Sequence, residues 1–260
     1  MLLGEQIFHN EAGEYDKTRQ VCCETMKQLV PGETRYPMIC SHCSTRPRCL
    51  FGRLSKEGHP DFWQAVRERS VDEGEFVERQ GTGAQSLSVV KVGVLKGVRH
   101  GPVGDSKPIF LMGKGRLVGF TQPFGQPALF DLQAVTKTRL CEVDIQVVRH
   151  VAMHHAPFQQ RLYERIAEFL GAMADWSHLL RHESFLARLC GALHLIANEE
   201  GSQSFRIPSH AVLAELLGAR RETVVRHIAT LIEKGRFRKI DRWHGAVTSQ
   251  LCSSLLDEAT

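Results

Sequence analysis

Three cysteines, Cys40, Cys43 and Cys49, stand in the stretch Cys40-Ser41-His42-Cys43-Ser44-Thr45-Arg46-Pro47-Arg48-Cys49, at the spacing C-x2-C-x5-C. Thiolates so spaced can converge on one metal centre from a single loop, and Pro47 favours the bend that brings the third round. Soft sulfur donors select zinc, copper(I) or an iron-sulfur cluster over hard cations. A fourth ligand is then expected.

A second set of chemistry-bearing residues lies toward the other end. From Phe205 to Gly245 there are nine Lys/Arg against four acids, on a chain whose net charge is only +4, so the excess is local and points to a polyanionic partner. Ser209 is placed to cap a helix carrying Val212, Leu213, Leu216 and Leu217, and Gly218 to end it. A tight turn at Ala219-Arg220 then leads into a second helix from Arg221 to Ile232. Helix, glycine-containing turn and charged second helix describe a helix-turn-helix that reads double-stranded DNA. The second helix should bury Val224, Ile228 and Leu231 and turn Arg221, Glu222, Val225 and Arg226 toward the major groove. Arg can bond guanine O6 and N7 together, and Glu can accept from cytosine N4. Past Gly235, the run from Arg236 to Val247 reads as a β wing whose Lys239 contacts phosphate.

These groups need scaffolds. The chain has 260 residues, 42% hydrophobic and 24% charged, ordinary for a globular protein and long enough for two domains. The first twenty residues lack the apolar core of a secretory signal, and no apolar run reaches membrane-spanning length. The expected location is cytoplasmic, with no membrane partner, and there the eight cysteines read as ligands, reactive thiols or core rather than disulfides. Pro60 to Val66 reads as a short helix opened by proline. Eleven of the 22 glycines fall between Gly74 and Gly125, punctuating β-rich runs such as Ser88-Val89-Val90-Lys91-Val92 and Ile109-Phe110-Leu111-Met112. That pattern predicts an antiparallel barrel or sandwich. From Pro157 onward Leu162, Ile166, Phe169, Met173, Trp176 and Leu180 recur at intervals of four and three, a seam that predicts a long helix pairing with its own copy in a homodimer in preference to the alternative, burial on its own β domain.

In this order of parts the chain resembles the CRP/FNR superfamily of bacterial transcription regulators. The resemblance rests on Leu216-Leu217-Gly218-Ala219-Arg220-Arg221-Glu222-Thr223-Val224-Val225-Arg226, similar to the family's L-G-x-x-R-E-T-V-x-R, and on Gly115-Arg116-Leu117-Val118-Gly119-Phe120, similar to its β-roll turn. It implies an α+β fold: an N-terminal extension over 1–38, a cysteine loop and jelly-roll-like β-roll sensor over 39–155, a dimerisation helix over 156–183 and a winged helix-turn-helix over 184–260. The C-x2-C-x5-C resembles the oxygen-sensing FNR branch, whose fourth ligand comes from a distant C-E-hydrophobic strand. Cys141-Glu142-Val143 matches it. The resemblance therefore implies a 4Fe-4S cluster on Cys40, Cys43, Cys49 and Cys141, a dimer on a two-fold operator while the cluster is intact, and RNA polymerase as a further partner. It leaves Cys22, Cys23, Cys190 and Cys252 outside the site, with Cys190 as core.

The chain departs from that branch at Arg48, where an apolar residue is common, and at Arg221-Glu222 with Val225, which is closer to the cyclic-nucleotide-sensing branch. Phe124-Gly125-Gln126-Pro127-Ala128 lacks the Arg-Ser pair that a cyclic phosphate would need. Haem on one of the thirteen histidines and structural zinc are the other sensor chemistries to weigh. No Ser-His-Asp, H-E-x-x-H or P-loop pattern speaks for an enzyme.

Overall fold

The computed structural model describes residues 40, 42–54 and 59–248. Cys22, Cys23, Cys252 and the extension over 1–38 lie outside these residues.

Period-two apolar patterning interrupted by left-handed glycines yields strands β1 (Arg67–Val71), β2 (Phe76–Glu78), β3 (Ser86–Val92), β4 (Leu95–His100), β5 (Ser106–Met112), β6 (Leu117–Val118), β7 (Asp131–Ala134) and β8 (Thr138–Asp144). They form two antiparallel four-stranded sheets, ordered β1-β8-β3-β6 and β2-β7-β4-β5. Val90 and Leu140 of the first sheet and Leu95, Phe110 and Leu132 of the second share one core, so the sheets are the two walls of a roll. Gly93, at the β3–β4 turn, shows why glycine punctuates it. Its φ is +104°, and a Cβ there would sit 2.4 Å from Thr138 Oγ1.

Helices surround the roll. Helix α1 (Pro60–Ala65) precedes it, and α2 (Ile145–His154) follows β8, capped by Asp144, whose carboxylate accepts from Gln146 N at 2.7 Å. The long α3 (Ala156–Leu180) then runs to α4 (Phe185–Glu200), α5 (His210–Leu217) and α6 (Arg221–Glu233). A small sheet ordered β10-β11-β9, from β9 (Ser204–Arg206), β10 (Phe237–Lys239) and β11 (His244–Val247), closes the C-terminal module. Strand β9, which pairs with β11 and completes the wing, is a strand the sequence pattern did not reveal.

One expectation is corrected. Leu162, Phe169 and Trp176 are 1%, 6% and 1% exposed within the single chain, so these three side chains have no surface left to offer a second copy. Phe169 meets the rings of Phe110 at 5.4 Å, Phe120 at 4.9 Å and Phe130 at 6.4 Å, edge-on or tilted. Ile166, Met173 and Leu180 are partly buried and pack on the same chain's clusters. The four-three seam is therefore the face that α3 turns to its own β-roll and to α4. A second face, offset by one residue, is exposed: Tyr163 at 50%, Leu170 at 61%, with Ala167, Ala174 and Ser177 in the same register. The reason is that α3 is covered on one side by its own domain, and the bulkier stripe serves that side.

Glu78, at the end of β2, is a buried acid. Its carboxyl receives the Gly119 N–H, while Oε1 has no hydrogen-bond partner, and burial pushes its pKa up to about 7. Folding therefore takes up a proton on Glu78 between its ordinary value of 4.5 and about 7. Stability that is full below pH 4.5 should fall as pH rises through that window, by an amount on the order of 3 kcal/mol. Urea titrations should show this slope in the wild type and lose it in Glu78→Gln; an unchanged slope would mean that Glu78 is ionised in the folded protein.

Candidate metal centre and nucleic-acid interface

The cysteine loop is fixed before its thiols are considered. Thr45, 2% exposed, donates its hydroxyl to Lys91 O of β3 at 2.7 Å. A turn of 3-10 helix over Arg46–Arg48 brings Cys49 N to Arg46 O at 3.2 Å. Leu50 and Phe51, immediately after Cys49, are buried in a cluster with Phe62, Val89 and Phe158. The Phe62 ring meets Phe51 at 5.5 Å and Phe158 at 5.7 Å, both edge to face. The loop is thus bolted to the β-roll by apolar burial, and the cysteines are carried on that anchor.

Cys141 enters from the opposite side. It lies on β8, in register with Glu68 of β1 and Val89 of β3. Cys40, Cys43, Cys49 and Cys141 line a single small cavity, walled also by Thr45, Phe51, Gly52, Val66, Val89 and Lys91. The cavity is largely apolar, and the thiols feel it. Burial pushes Cys49 up to about 11 against hydrogen bonds from the Gly52 and Phe51 N–H groups, with Cys40 and Cys43 adding to the rise. Burial likewise pushes Cys141 up to about 12, with Cys49 raising it further and Lys91 opposing. These mutual effects mean that the thiols cannot all ionise unless a cation compensates them.

Lys91 is a residue of this site that the sequence reading passed over. For its ammonium, burial works against the charged form, but hydrogen bonding and charge from Glu68 outweigh it and raise the pKa, helped by Cys141 and Cys43. Arg139 holds the other oxygen of Glu68 at 3.0 Å. The signal was in the sequence: Lys91 lies two residues after buried Val89, so alternation puts it on the face of β3 that Val89 turns toward the cysteine loop.

The second candidate site is the C-terminal module. Ser209 caps α5, its hydroxyl accepting from Val212 N at 3.3 Å, and Gly218 ends that helix with φ +64°. Val224, Ile228 and Leu231 are buried on α6, whereas Arg221, Glu222, Val225 and Arg226 are exposed on its other side. Lys239 is exposed on the wing. His210, at the start of α5, is held below its ordinary pKa by burial and then by the charges of Arg221 and Lys239, so helix and wing contribute to one basic surface. Trp243, 50% exposed at the wing tip, was also missed. Its ring has the guanidinium carbons of Arg206 at 5.3 Å and Arg242 at 4.8 Å, and the Asp241 carboxylate fixes the turn by accepting from Trp243 N at 2.6 Å and His244 N at 2.8 Å.

A two-walled β-roll, a long helix packed along it and a winged helix-turn-helix with an exposed basic second helix define the architecture of a DNA-binding regulator. Residues 68–155 match the cyclic nucleotide-binding domain family and residues 187–248 the Crp-like helix-turn-helix domain family. The chain belongs to the CRP/FNR superfamily of transcription regulators. It is 26% identical over 212 residues to a probable transcriptional activator of Rhizobium leguminosarum bv. viciae, covering 79% of this chain and 88% of that one. With the transcriptional activator protein FnrL of Cereibacter sphaeroides it shares 24% over 230 residues, 85% of this chain and 91% of the relative. The structure of FixK2 from Bradyrhizobium japonicum superposes with a TM-score of 0.63 at 17% identity, over 74% of this chain and 96% of that one, a likeness of fold. Among the described residues no helix is long and apolar enough to cross a membrane.

Proposed function

We propose that this regulator is of the FNR type: Cys40, Cys43, Cys49 and Cys141 hold a 4Fe-4S cluster, and the protein binds a two-fold DNA site as a homodimer in the cytoplasm while that cluster is intact, engaging RNA polymerase there. The observation that carries the reading is the convergence of three loop thiols and one strand thiol on one apolar cavity with Lys91 on its wall. The donor set suits the group. Four soft thiols lining one cavity are the ligand set that an iron-sulfur cluster takes. The segment over 124–128 lacks an Arg-Ser pair, which weighs against a cyclic nucleotide as the signal.

When bound, the cluster supplies a centre that oxygen or a change of redox state can alter. This chain's residues do the rest. The thiols lose their protons as ligands, the Phe51 and Gly52 N–H groups support the Cys49 sulfur, and Lys91 offsets negative charge on the thiolate set. The ligands tie the cysteine loop to β8, so the state of the centre is felt where the loop packs on α3. Spectra of anaerobically purified protein test the assignment: a broad charge-transfer shoulder is expected rather than a sharp Soret band or no colour. Cys190→Ala should keep full iron and acid-labile sulfide, and Cys141→Ser should lose both. Full iron and sulfide in Cys141→Ser would remove that residue from the site.

The homodimer is assigned to the exposed face of α3, where Tyr163, Ala167, Leu170, Ala174 and Ser177 recur at four-three spacing. Ala167 between Tyr163 and Leu170, with Ala174 and Ser177 beyond them, lets two such helices approach closely. Leu170→Glu should give a folded monomer in sedimentation, whereas Phe169→Ala should cost roughly 3–5 kcal/mol of stability in urea, as truncation of a buried aromatic does. A stable dimer in Leu170→Glu would place the interface elsewhere.

On DNA, Arg221, Glu222, Val225 and Arg226 are assigned to base edges and Lys239 to phosphate, on half-sites resembling TGTGA or TTGAY about one helical turn apart. Arg226→Ala should lose roughly 1–3 kcal/mol on the specific site and relax discrimination at one G·C pair. Lys239→Ala should instead weaken matched and mismatched DNA alike and reduce the salt slope by about one. Equal loss on all sequences in Arg226→Ala would make that residue a backbone anchor.

A further inference from the structure

Arg48 directly precedes Cys49, yet its side chain leaves the cysteine loop. Its Nη1 donates to the carbonyl oxygens of Asn198 at 2.8 Å and Glu199 at 2.7 Å, in the last turn of α4, the first helix of the DNA-binding module. A helix ends there, with Asn198 O also accepting from the capping Gly201 N at 3.1 Å, and its carbonyls and dipole present a negative end to which a guanidinium is the complementary group. The same helix end is gripped from the β-roll. Arg116 Nε lies 3.0 and 2.8 Å from the two Glu199 carboxylate oxygens, its Nη2 pairs with the same carboxylate, and Gly113 N donates to it at 3.2 Å. Charge and hydrogen bonding from Glu199 outweigh the burial of the Arg116 guanidinium and hold it charged.

The path of Arg48 is cut for it. A Cβ on Gly115, φ +87°, would lie 2.6 Å from the Arg48 Cβ, and one on Gly201, φ +67°, would lie 3.0 Å from its Cζ. Arg165 of α3 donates to Arg48 O at 3.3 Å, so loop, long helix and α4 meet on one residue. The neighbouring thiol, one peptide away, belongs to the cavity shared with Cys40, Cys43 and Cys141.

We propose that Arg48 is the positioning residue that couples the four-thiol pocket to the DNA-binding module, acting on the C-terminal end of α4 rather than through the dimer interface. The proposal rests on the reading of that pocket as a metal centre. Ligation of Cys49 fixes the backbone of the turn over 46–48, and with it the point from which the guanidinium reaches α4. When Cys49 is released, the turn is held by fewer constraints, and the end of α4 is left with the grip of Arg116 and Gly113 on Glu199. Linkage makes the coupling reciprocal, so fixing α4 on DNA also favours the ligated loop.

The test is amide hydrogen exchange over residues 198–202, compared between anaerobic protein reconstituted with ferrous iron and sulfide and the same protein stripped by chelation. Wild type should exchange about tenfold more slowly there when loaded, within the usual range of coupling between sites. Arg48→Met retains the stem between Gly115 and Gly201 but removes the charge and the donors. It should take up wild-type amounts of iron and sulfide yet show less than about a twofold difference, and Arg48→Lys should recover part of the response. In parallel, anisotropy titrations on a TGTGA-type two-fold duplex should depend less on loading in Arg48→Met than in wild type. A full wild-type response at 198–202 in loaded Arg48→Met would overturn the proposal, as would loaded wild type with no response at all. Wild type that takes up no iron would instead overturn the metal-centre reading and remove the basis of the coupling.

Discussion

Burial of one face of α3 is the constraint on which the rest of the molecule depends. Leu162 joins the cluster beneath the cysteine loop, Phe169 enters the aromatic group of the β-roll, and Trp176 reaches the core shared with α4. Fully burying side chains of this size contributes roughly 1.5–3 kcal/mol each, enough to fix the rotation of a helix about its axis. That rotation decides what α3 shows to the outside. It leaves Tyr163 and Leu170 exposed and turns Arg165 to the cysteine loop, and it places α4 where two arginines reach its end.

The thiol pocket and the DNA surface are built on opposite electrostatic terms. In the pocket, apolar walls keep Cys49 and Cys141 protonated, which makes it a poor place for uncompensated charge. On the recognition helix the charged residues remain in water, and the apolar residues between them hold α6 to its module. A surface of that kind gives up little stability to display charge, since exposed cations gain their binding energy only when phosphates release counterions.

Much of this architecture was legible because it rests on local rules. The Ser209 cap, the left-handed Gly218 and the buried Val224, Ile228 and Leu231 of the helix-turn-helix all follow from one-turn spacing and are found as read. Strands at 86–92 and 106–112 contain the predicted β runs. Lys91 was legible in principle, since period-two alternation places it beside Val89, but its value emerges only when Cys141 is brought to the same wall by β8. Strand β9 was not legible, because three residues without a strong pattern become a strand only by pairing with β11.

The sequence by itself determined the identity of the donors: soft thiolates at C-x2-C-x5-C, a basic recognition helix and the order of the parts. It also determined that α3 carries an apolar four-three repeat. Only the tertiary structure decided which partner that repeat meets, because periodicity records that a face is buried and not against what. Only the structure could show where Arg48 goes, because its partners lie 150 and 151 residues away along the chain and no local pattern encodes a contact of that range.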